Sequence, residues 1–187
     1  MRVWESDRAF DLESCVAALG TFDGLHKGHQ ALIRCAVDLA RALNTACVVY
    51  TFDRHPLSVL CPERAPEQLL SRAELIPKLE KMGVDGVLFQ PFTREYAAME
   101  PEAYLRELAS RLHVKGVVAG FNYSFGAHGR GDAALIRAMA EELGYRAEIV
   151  EAVRDGGEVV SSTLIRSLRQ GGDDARARRL LSLEDAR

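Results

Sequence analysis

Two histidines and a lysine stand close together in the stretch Gly20-Thr21-Phe22-Asp23-Gly24-Leu25-His26-Lys27-Gly28-His29. A helical pattern begins at His29, so these side chains sit where a helix starts, and no acid occupies its first turn. The N-terminal end of a helix carries partial positive charge, which disfavours an imidazolium there unless an anion shares the site. Free backbone N–H groups at that end complete a phosphate cradle, and glycines permit close backbone approach. A loop with two surface histidines is the plain alternative. The H-x-G-H frame at the end of a strand argues against it. The stretch is neither G-x-x-x-x-G-K-[ST] nor G-x-G-x-x-G, which disfavours a P-loop and a nicotinamide dinucleotide site.

A second group is Val160-Ser161-Ser162-Thr163-Leu164-Ile165-Arg166. Ser161 or Ser162 can cap a helix. Arg166 follows at helical spacing, so it projects near the same end and face. Hydroxyls, N–H groups and a planar guanidinium fork converge there, a set suited to phosphate. The alternative is an ordinary cap beside a solvated arginine. The third group runs from Gly120 to Asp132 and holds four glycines and the aromatics Phe121, Tyr123 and Phe125. Glycines allow special torsions, and aromatics offer a stacking surface for a flat ring. A glycine-rich surface loop with core aromatics competes with that reading. In the fourth, Thr51-Phe52-Asp53-Arg54-His55-Pro56, Asp53 and His55 reach one rim. Taken alone, a histidine beside proline is an ordinary loop residue.

These groups must be held by regular elements. Ser14 to Phe22, Ala46 to Phe52, Val84 to Phe89, Gly116 to Ala119 and Tyr145 to Val153 read as strands. Helical spacing covers His29 to Leu43, Ser71 to Met82, Glu102 to Leu112, Asp132 to Leu143, Ser162 to Arg169 and Asp173 to Leu181. Pro77 predicts a kink or break in the second helix. Pro56 to Pro66 reads as an exposed loop. Alternation of this kind predicts an α/β fold, a Rossmann-like, doubly wound parallel sheet of five strands with helices on both faces. Such sheets bind ligands at the carboxyl ends of their strands. All four groups follow strands or a strand-like run.

Composition narrows the class. The 187 residues carry a net charge of −3 and are 48% hydrophobic. That length suits about one domain. The mild acidity offers no bulk attraction for nucleic acid or an anionic membrane. Cys15, Cys35, Cys47 and Cys61 form no C-x-x-C pair, which argues against a zinc finger or thioredoxin-type motif. Scattered cysteines in apolar runs read as reduced thiols. Neither a signal peptide nor a membrane-spanning run is apparent, so the expected location is cytoplasmic.

At the quoted residues the chain resembles the N-terminal adenylyltransferase module of bacterial bifunctional riboflavin kinase/FAD synthetases. The matching stretches are GTFDGLHKGHQ (20–30), VVYTFDRHP (48–56), GVDGVLFQPF (83–92), VVAGFNYSFGAHGRG (117–131) and VSSTLIR (160–166). H-x-G-H with S-S-T-x-I-R alone indicates the wider nucleotidyltransferase superfamily. TF-x-x-HP and GFNYSFG narrow the match to its flavin branch.

The resemblance implies FMN adenylyltransferase activity: AMP passes from ATP to FMN by direct in-line displacement, with Mg²⁺, giving FAD and pyrophosphate. It assigns His26 and His29 to the ATP phosphates and their developing charge. Arg166, with Ser161, Ser162 and Thr163, would hold the β- and γ-phosphates. Gly20, Thr21, Phe22 and Asp23 would line the nucleotide through backbone contacts, and Gly28 belongs to the same ATP site. Asn122 would organise the FMN phosphate or the metal. His55, Pro56, Tyr123 and Phe125 would shape the flavin side. Mg²⁺ would ride mainly on the phosphates, since it keeps waters and few protein ligands. The alternatives are transfer to another phosphorylated acceptor, or a flavin- or nucleotide-binding module without catalysis.

Two departures matter. Arg54 stands where the family commonly has proline. The chain reads Arg179-Leu180-Leu181-Ser182 where the family usually has L-L-G-R-P-Y and continues into a β-barrel riboflavin kinase domain. A single nucleotidyltransferase domain over 1–187 without that barrel is therefore expected, with no riboflavin phosphorylation and any kinase activity lying elsewhere.

Overall fold

A computed structural model describes residues 1–183. Its main sheet has six parallel strands, one more than the sequence reading gives. They are β1 (Arg2–Trp4), β2 (Cys15–Leu19), β3 (Ala46–Phe52), β4 (Gly86–Gln90), β5 (Val114–Gly120) and β6 (Arg146–Val150). The spatial order is β1-β4-β3-β2-β5-β6. The additional strand is β1, three residues at the sheet edge. So short a run carries no readable period. A tertiary fit fixes it: a Cβ on Gly86 would lie 2.3 Å from the Trp4 ring, so the bare glycine lets Trp4 lie against β4.

From β2 the chain moves outward through β3 to β4, then returns to place β5 on the other side of β2. The switch point therefore falls between β2 and β5, where a crevice opens at the strands' carboxyl ends. Alternate residues of the central strands feed two cores. Ala17, Leu19, Val48, Tyr50 and Leu88 face one side, with α5 (Pro101–Leu112) and α6 (Ala133–Ala138). Val16, Ala18, Cys47, Val49 and Val87 face the other, with α1 (Lys27–Ala42) and α3 (Arg72–Lys81). Every residue of β2 is fully buried, as a strand covered on both faces requires.

Several expectations change in detail. The stretch after His55 is not loop throughout: α2 (Pro56–Leu60) forms there, with Pro56 at its first turn, followed by a 3-10 turn over Pro62–Arg64. Helix α3 runs through Pro77 without a break, anchored at its start by a reciprocal Ser71–Glu74 capping box. The expected helix over 132–143 divides at Met139 into α6 and α7 (Ala140–Leu143). A short α4 (Arg94–Ala97) and an antiparallel hairpin, β7 (Arg154–Asp155) with β8 (Glu158–Val159), are additional. The chain then forms α8 (Ser162–Gln170) and α9 (Asp174–Leu181), joined by a small core around Val160, Ile165, Ala177 and Leu180. No helix among the described residues is long and apolar enough to cross a membrane.

Candidate functional site

The loop between β2 and α1 is a tight coil. Phe22, Gly24 and Leu25 all have positive φ, at 48°, 85° and 47°. Left-handed backbone is costly for Phe and Leu, so packing must hold it. Phe22 and Leu25 are fully buried, and the Phe22 ring folds back over Gly20, where a Cβ would lie 3.1 Å away. Gln30, also buried, donates from its side-chain amide to the Leu25 carbonyl (2.9 Å) and the Ser182 carbonyl (3.0 Å). The loop is thus clamped between the sheet and the last helix.

His26 is the N-cap of α1. Its Nδ1 accepts from the His29 backbone N–H at 3.3 Å. A neutral His26 therefore carries its proton on Nε2. The two rings stack with centroids 3.7 Å apart and 17° between planes. Gly28 allows the stack: a Cβ there would lie 3.2 Å from the His26 ring and 3.3 Å from the Val160 carbonyl oxygen. Burial lowers the His26 pKa to about 4. Burial, reinforced by His26, holds His29 well below the ordinary histidine value. The helix start alone disfavours an imidazolium here unless an anion shares the site. Burial favours the neutral form of both rings, and a neutral His26 presents its Nε2–H as a donor. The His29 Nδ1 is buried with no hydrogen-bond partner among the described residues.

Helix α8 brings a second N-terminus to the same place. Ser161 is its cap, accepting from the Leu164 N–H at 3.2 Å. Ser162 Oγ donates to the Asp23 carbonyl at 2.7 Å, tying this helix to the first loop. Neither α1 nor α8 has an acid in its first turn, so two positive helix ends face one space.

That space is a cavity of about 860 Å³. At its phosphate-like end it is lined by Gly20, Thr21, His26, Gly28, His29, Ser161 and Ser162. Its other compartment is aromatic. Seven of the chain's thirteen Phe, Tyr and Trp residues line the cavity, so aromatic surface is concentrated there. Phe52 meets Phe92 edge-on at 4.9 Å, and Tyr104 meets Phe125 at the same separation. The Tyr104 and Tyr123 hydroxyls are 3.1 Å apart, and Tyr50 and Tyr96 pair at 2.8 Å. Burial raises all four phenols, Tyr123 to about 12, so they stay neutral. The glycines of the 121–131 loop serve this wall. Phe125 and Gly131 exchange backbone bonds of 3.0 and 2.9 Å, and a Cβ on Gly131 would lie 2.5 Å from the Phe125 ring.

Other expected residues stand outside the cavity lining. Phe22 and Asp23 do not line it, although Gly20 and Thr21 do. Phe22 is a packing residue. Asp23 is a brace: its carboxylate accepts the Leu69 N–H at 2.8 Å and pairs with Arg166. Arg166 also donates from Nε to the Glu67 carbonyl at 2.9 Å, so it holds the 67–69 segment against the loop rather than reaching into the cavity. Thr163 is exposed and outside the lining. His55 caps α2, its Nδ1 accepting from the Leu57 N–H at 3.1 Å, and Pro56 rather than His55 faces the cavity. Asn122, Tyr123 and Phe125 all line it. The sequence reading misses Phe92, Tyr96, Tyr104, Leu60 and Glu151 as lining residues, and Gln30 as the loop clamp.

Residues 9–164 match the FAD synthetase family. A bifunctional riboflavin kinase/FMN adenylyltransferase from Escherichia coli (strain K12) is 32% identical over 170 residues, which cover 90% of this chain and 54% of that protein. The chain thus spans about half the length of that curated relative. A putative bifunctional riboflavin kinase/FMN adenylyltransferase from Geobacillus thermodenitrificans is 33% identical over 174 residues, 92% of each chain. Among solved structures, one described as a macrolide-efflux protein from Streptococcus pneumoniae superposes with a TM-score of 0.83 at 30% identity, over 96% of this chain and 59% of that one. With the family match running from before β2 into α8, this chain belongs to the FAD synthetase family.

Proposed function

We propose that the chain transfers AMP from ATP to FMN, giving FAD and pyrophosphate. One observation carries the reading: a single cavity joins a cradle of imidazoles and helix N-termini to an aromatic chamber. A nucleotide and a flat-ringed phosphate ester fit it with their phosphates meeting at the cradle. Membership of the FAD synthetase family supports the same choice of substrates.

In the reaction, an oxygen of the FMN phosphate forms a bond to the α-phosphorus of ATP. The bond from that phosphorus to the α,β-bridging oxygen breaks, and pyrophosphate leaves with the electron pair. The nucleophile is already an anion. The protein's task is therefore positioning and charge stabilisation, not base catalysis. The Nε2–H of His26 and the backbone N–H groups at the starts of α1 and α8 donate to the phosphate oxygens as charge moves onto the leaving group. His29, stacked on His26, completes the cradle. Arg166 braces Asp23, and contact with the β- and γ-phosphates requires it to exchange that carboxylate for phosphate.

Mg²⁺ is part of the proposal as an ion carried on the phosphates. Among the described residues no three His, Cys, Asp or Glu side chains converge as a cage. Asn122 lines the cavity, and its amide oxygen would suit an octahedral ion that keeps its waters. When bound, the ion neutralises phosphate charge.

The test is to incubate the purified chain with FMN, ATP and Mg²⁺ and separate the flavins by chromatography, with riboflavin and ATP run in parallel. FAD and pyrophosphate from FMN, with riboflavin unchanged, support adenylyl transfer. Saturable FMN binding without FAD moves the reading to a binding module. Turnover with another phosphate ester and none with FMN assigns a different acceptor.

A further inference from the structure

Glu151 follows β6 directly and lines the cavity beside Ala152 and Val153. Among the described residues two carboxylates border this cavity, Glu100 and Glu151. Glu100 is neutralised by Arg130 at 2.6 Å. Glu151 is exposed and makes no hydrogen bond or ion pair among the described residues. An unpaired carboxylate repels phosphate, so in a site for two phosphate esters it must face an uncharged part of a substrate.

The fold says which part. The phosphate cradle lies where α1 and α8 converge, Gly28 approaching Val160 so closely that a Cβ would lie 3.3 Å from its carbonyl oxygen. Phe52 ends β3 and Phe92 follows β4, on one side of β2, and Tyr96 and Tyr104 continue their ring contacts, the proposed flavin side. Val160, Val153 and Glu151 line the same cavity, Glu151 at the end of β6 on the other side of β2. β6 is held to β5 through the Phe121 N–H, which donates to the Val150 carbonyl at 3.0 Å, so the Glu151 backbone is anchored. A vicinal diol presents two O–H donors at a spacing that matches two carboxylate oxygens, and an acid near a strand end reads a ribose this way in doubly wound sheets.

We infer that Glu151 accepts hydrogen bonds from the ribose hydroxyls of the nucleotide and selects ribo- over deoxyribonucleotides. The inference rests on the nucleotide half of the proposed function. Glu151 takes no part in the transfer step. It determines specificity.

The experiment compares ATP with 2′-deoxy-ATP and 3′-deoxy-ATP in the wild type and in Glu151→Ala and Glu151→Gln. With FMN saturating, the wild type is expected to prefer ATP in kcat/KM by about tenfold or more, the size of one lost charge-assisted hydrogen bond. Both substitutions should collapse that preference to within about threefold, with the deoxy substrates turned over about as well as by the wild type. The deoxy substrates also control for relieved repulsion, because a purely electrostatic effect of Glu151 raises all three nucleotides equally. An unchanged preference, or an equal change for all three, overturns the inference. Selective loss of discrimination against inosine triphosphate instead assigns Glu151 to the adenine amine and overturns it too. Titrations of the three nucleotides without flavin read the same ratios as binding constants. A chain that binds ATP but makes no FAD therefore sinks the flavin reading while still deciding on Glu151.

Discussion

The two compartments of the cavity are built by opposite means. The phosphate-like end comes from two helix starts and one loop, with His26, Gly28 and His29 close in sequence. It presents backbone N–H groups and two imidazoles whose neutral form burial favours. The aromatic chamber draws Phe52 from β3, Phe92 from beyond β4, Tyr96 from α4, Tyr104 from α5 and Phe125 from beyond β5. These residues are spread from position 52 to position 125, and contact area is what they offer. An electrostatic end should lose rate when a single group is removed. A packed end should lose affinity or stability, and in smaller amounts.

The largest effect expected is at His29. His29→Ala removes a ring stacked at 3.7 Å on His26 and edge-on to Phe22. We expect kcat to fall by roughly a hundredfold or more, with FMN affinity changed by less than about threefold. Stopped-flow binding beside steady-state turnover separates the two. Equal losses in both would make His29 a supporting residue and erase the contrast between the compartments.

Acid should distinguish the two ends as well. His26 has a folded pKa of about 4 against 6.5 for a free histidine, the cause being burial. Between those values the unfolded chain binds a proton that the folded chain does not. Stability is therefore fully present above pH 6.5 and is lost as pH falls toward 4, by roughly 3 kcal/mol from this group. Urea midpoints measured across that window should fall more steeply for the wild type than for His26→Gln. Parallel curves would mean that His26 is not the group protonated. The phenols of the chamber are raised, not lowered, so they add no acid sensitivity.

A backbone change tests the chamber. Gly126 has φ of 71°, and a Cβ would lie 2.8 Å from the Pro101 Cα. Gly126→Ala meets both a left-handed torsion and a backbone obstruction, which together cost about 1–3 kcal/mol. The KM for FMN should rise while the KM for ATP stays within about twofold, since the cradle does not rest on this loop. A matching rise in both would show that the compartments are mechanically one.

The same contrast explains what was legible in the sequence. Phosphate-type helix starts are local: an H-x-G-H frame and a serine cap can be read within ten residues, and the doubly wound sheet follows from alternating periods. Placement that is set across the fold is not legible locally. Arg166 has the right type and spacing for phosphate, yet Asp23, far away in sequence, holds it. Phe22 sits inside the motif but points into the core because the coil turns left-handed there. Tyr96 and Tyr104 carry no local mark, since only the return of the chain from β4 to β5 brings their helices over the crevice. The β7–β8 hairpin did carry one. Asp155-Gly156-Gly157-Glu158 puts two positive-φ glycines at a two-residue turn, and Arg176 on α9 then clasps Asp155 at 2.7 Å.

The smallest expected effect sharpens the comparison most. Tyr104→Phe keeps the ring that contacts Phe125 at 4.9 Å and removes only the hydroxyl paired with Tyr123 at 3.1 Å. If the chamber binds by apolar contact, the loss is one neutral hydrogen bond, about 1 kcal/mol or less of stability, with FMN affinity changed by under about threefold. A fluorescence titration of FMN with both proteins measures it. A tenfold loss of affinity would mean that the phenol pair itself reads a polar edge of the flavin. The chamber would then work by directed hydrogen bonds, as the cradle does.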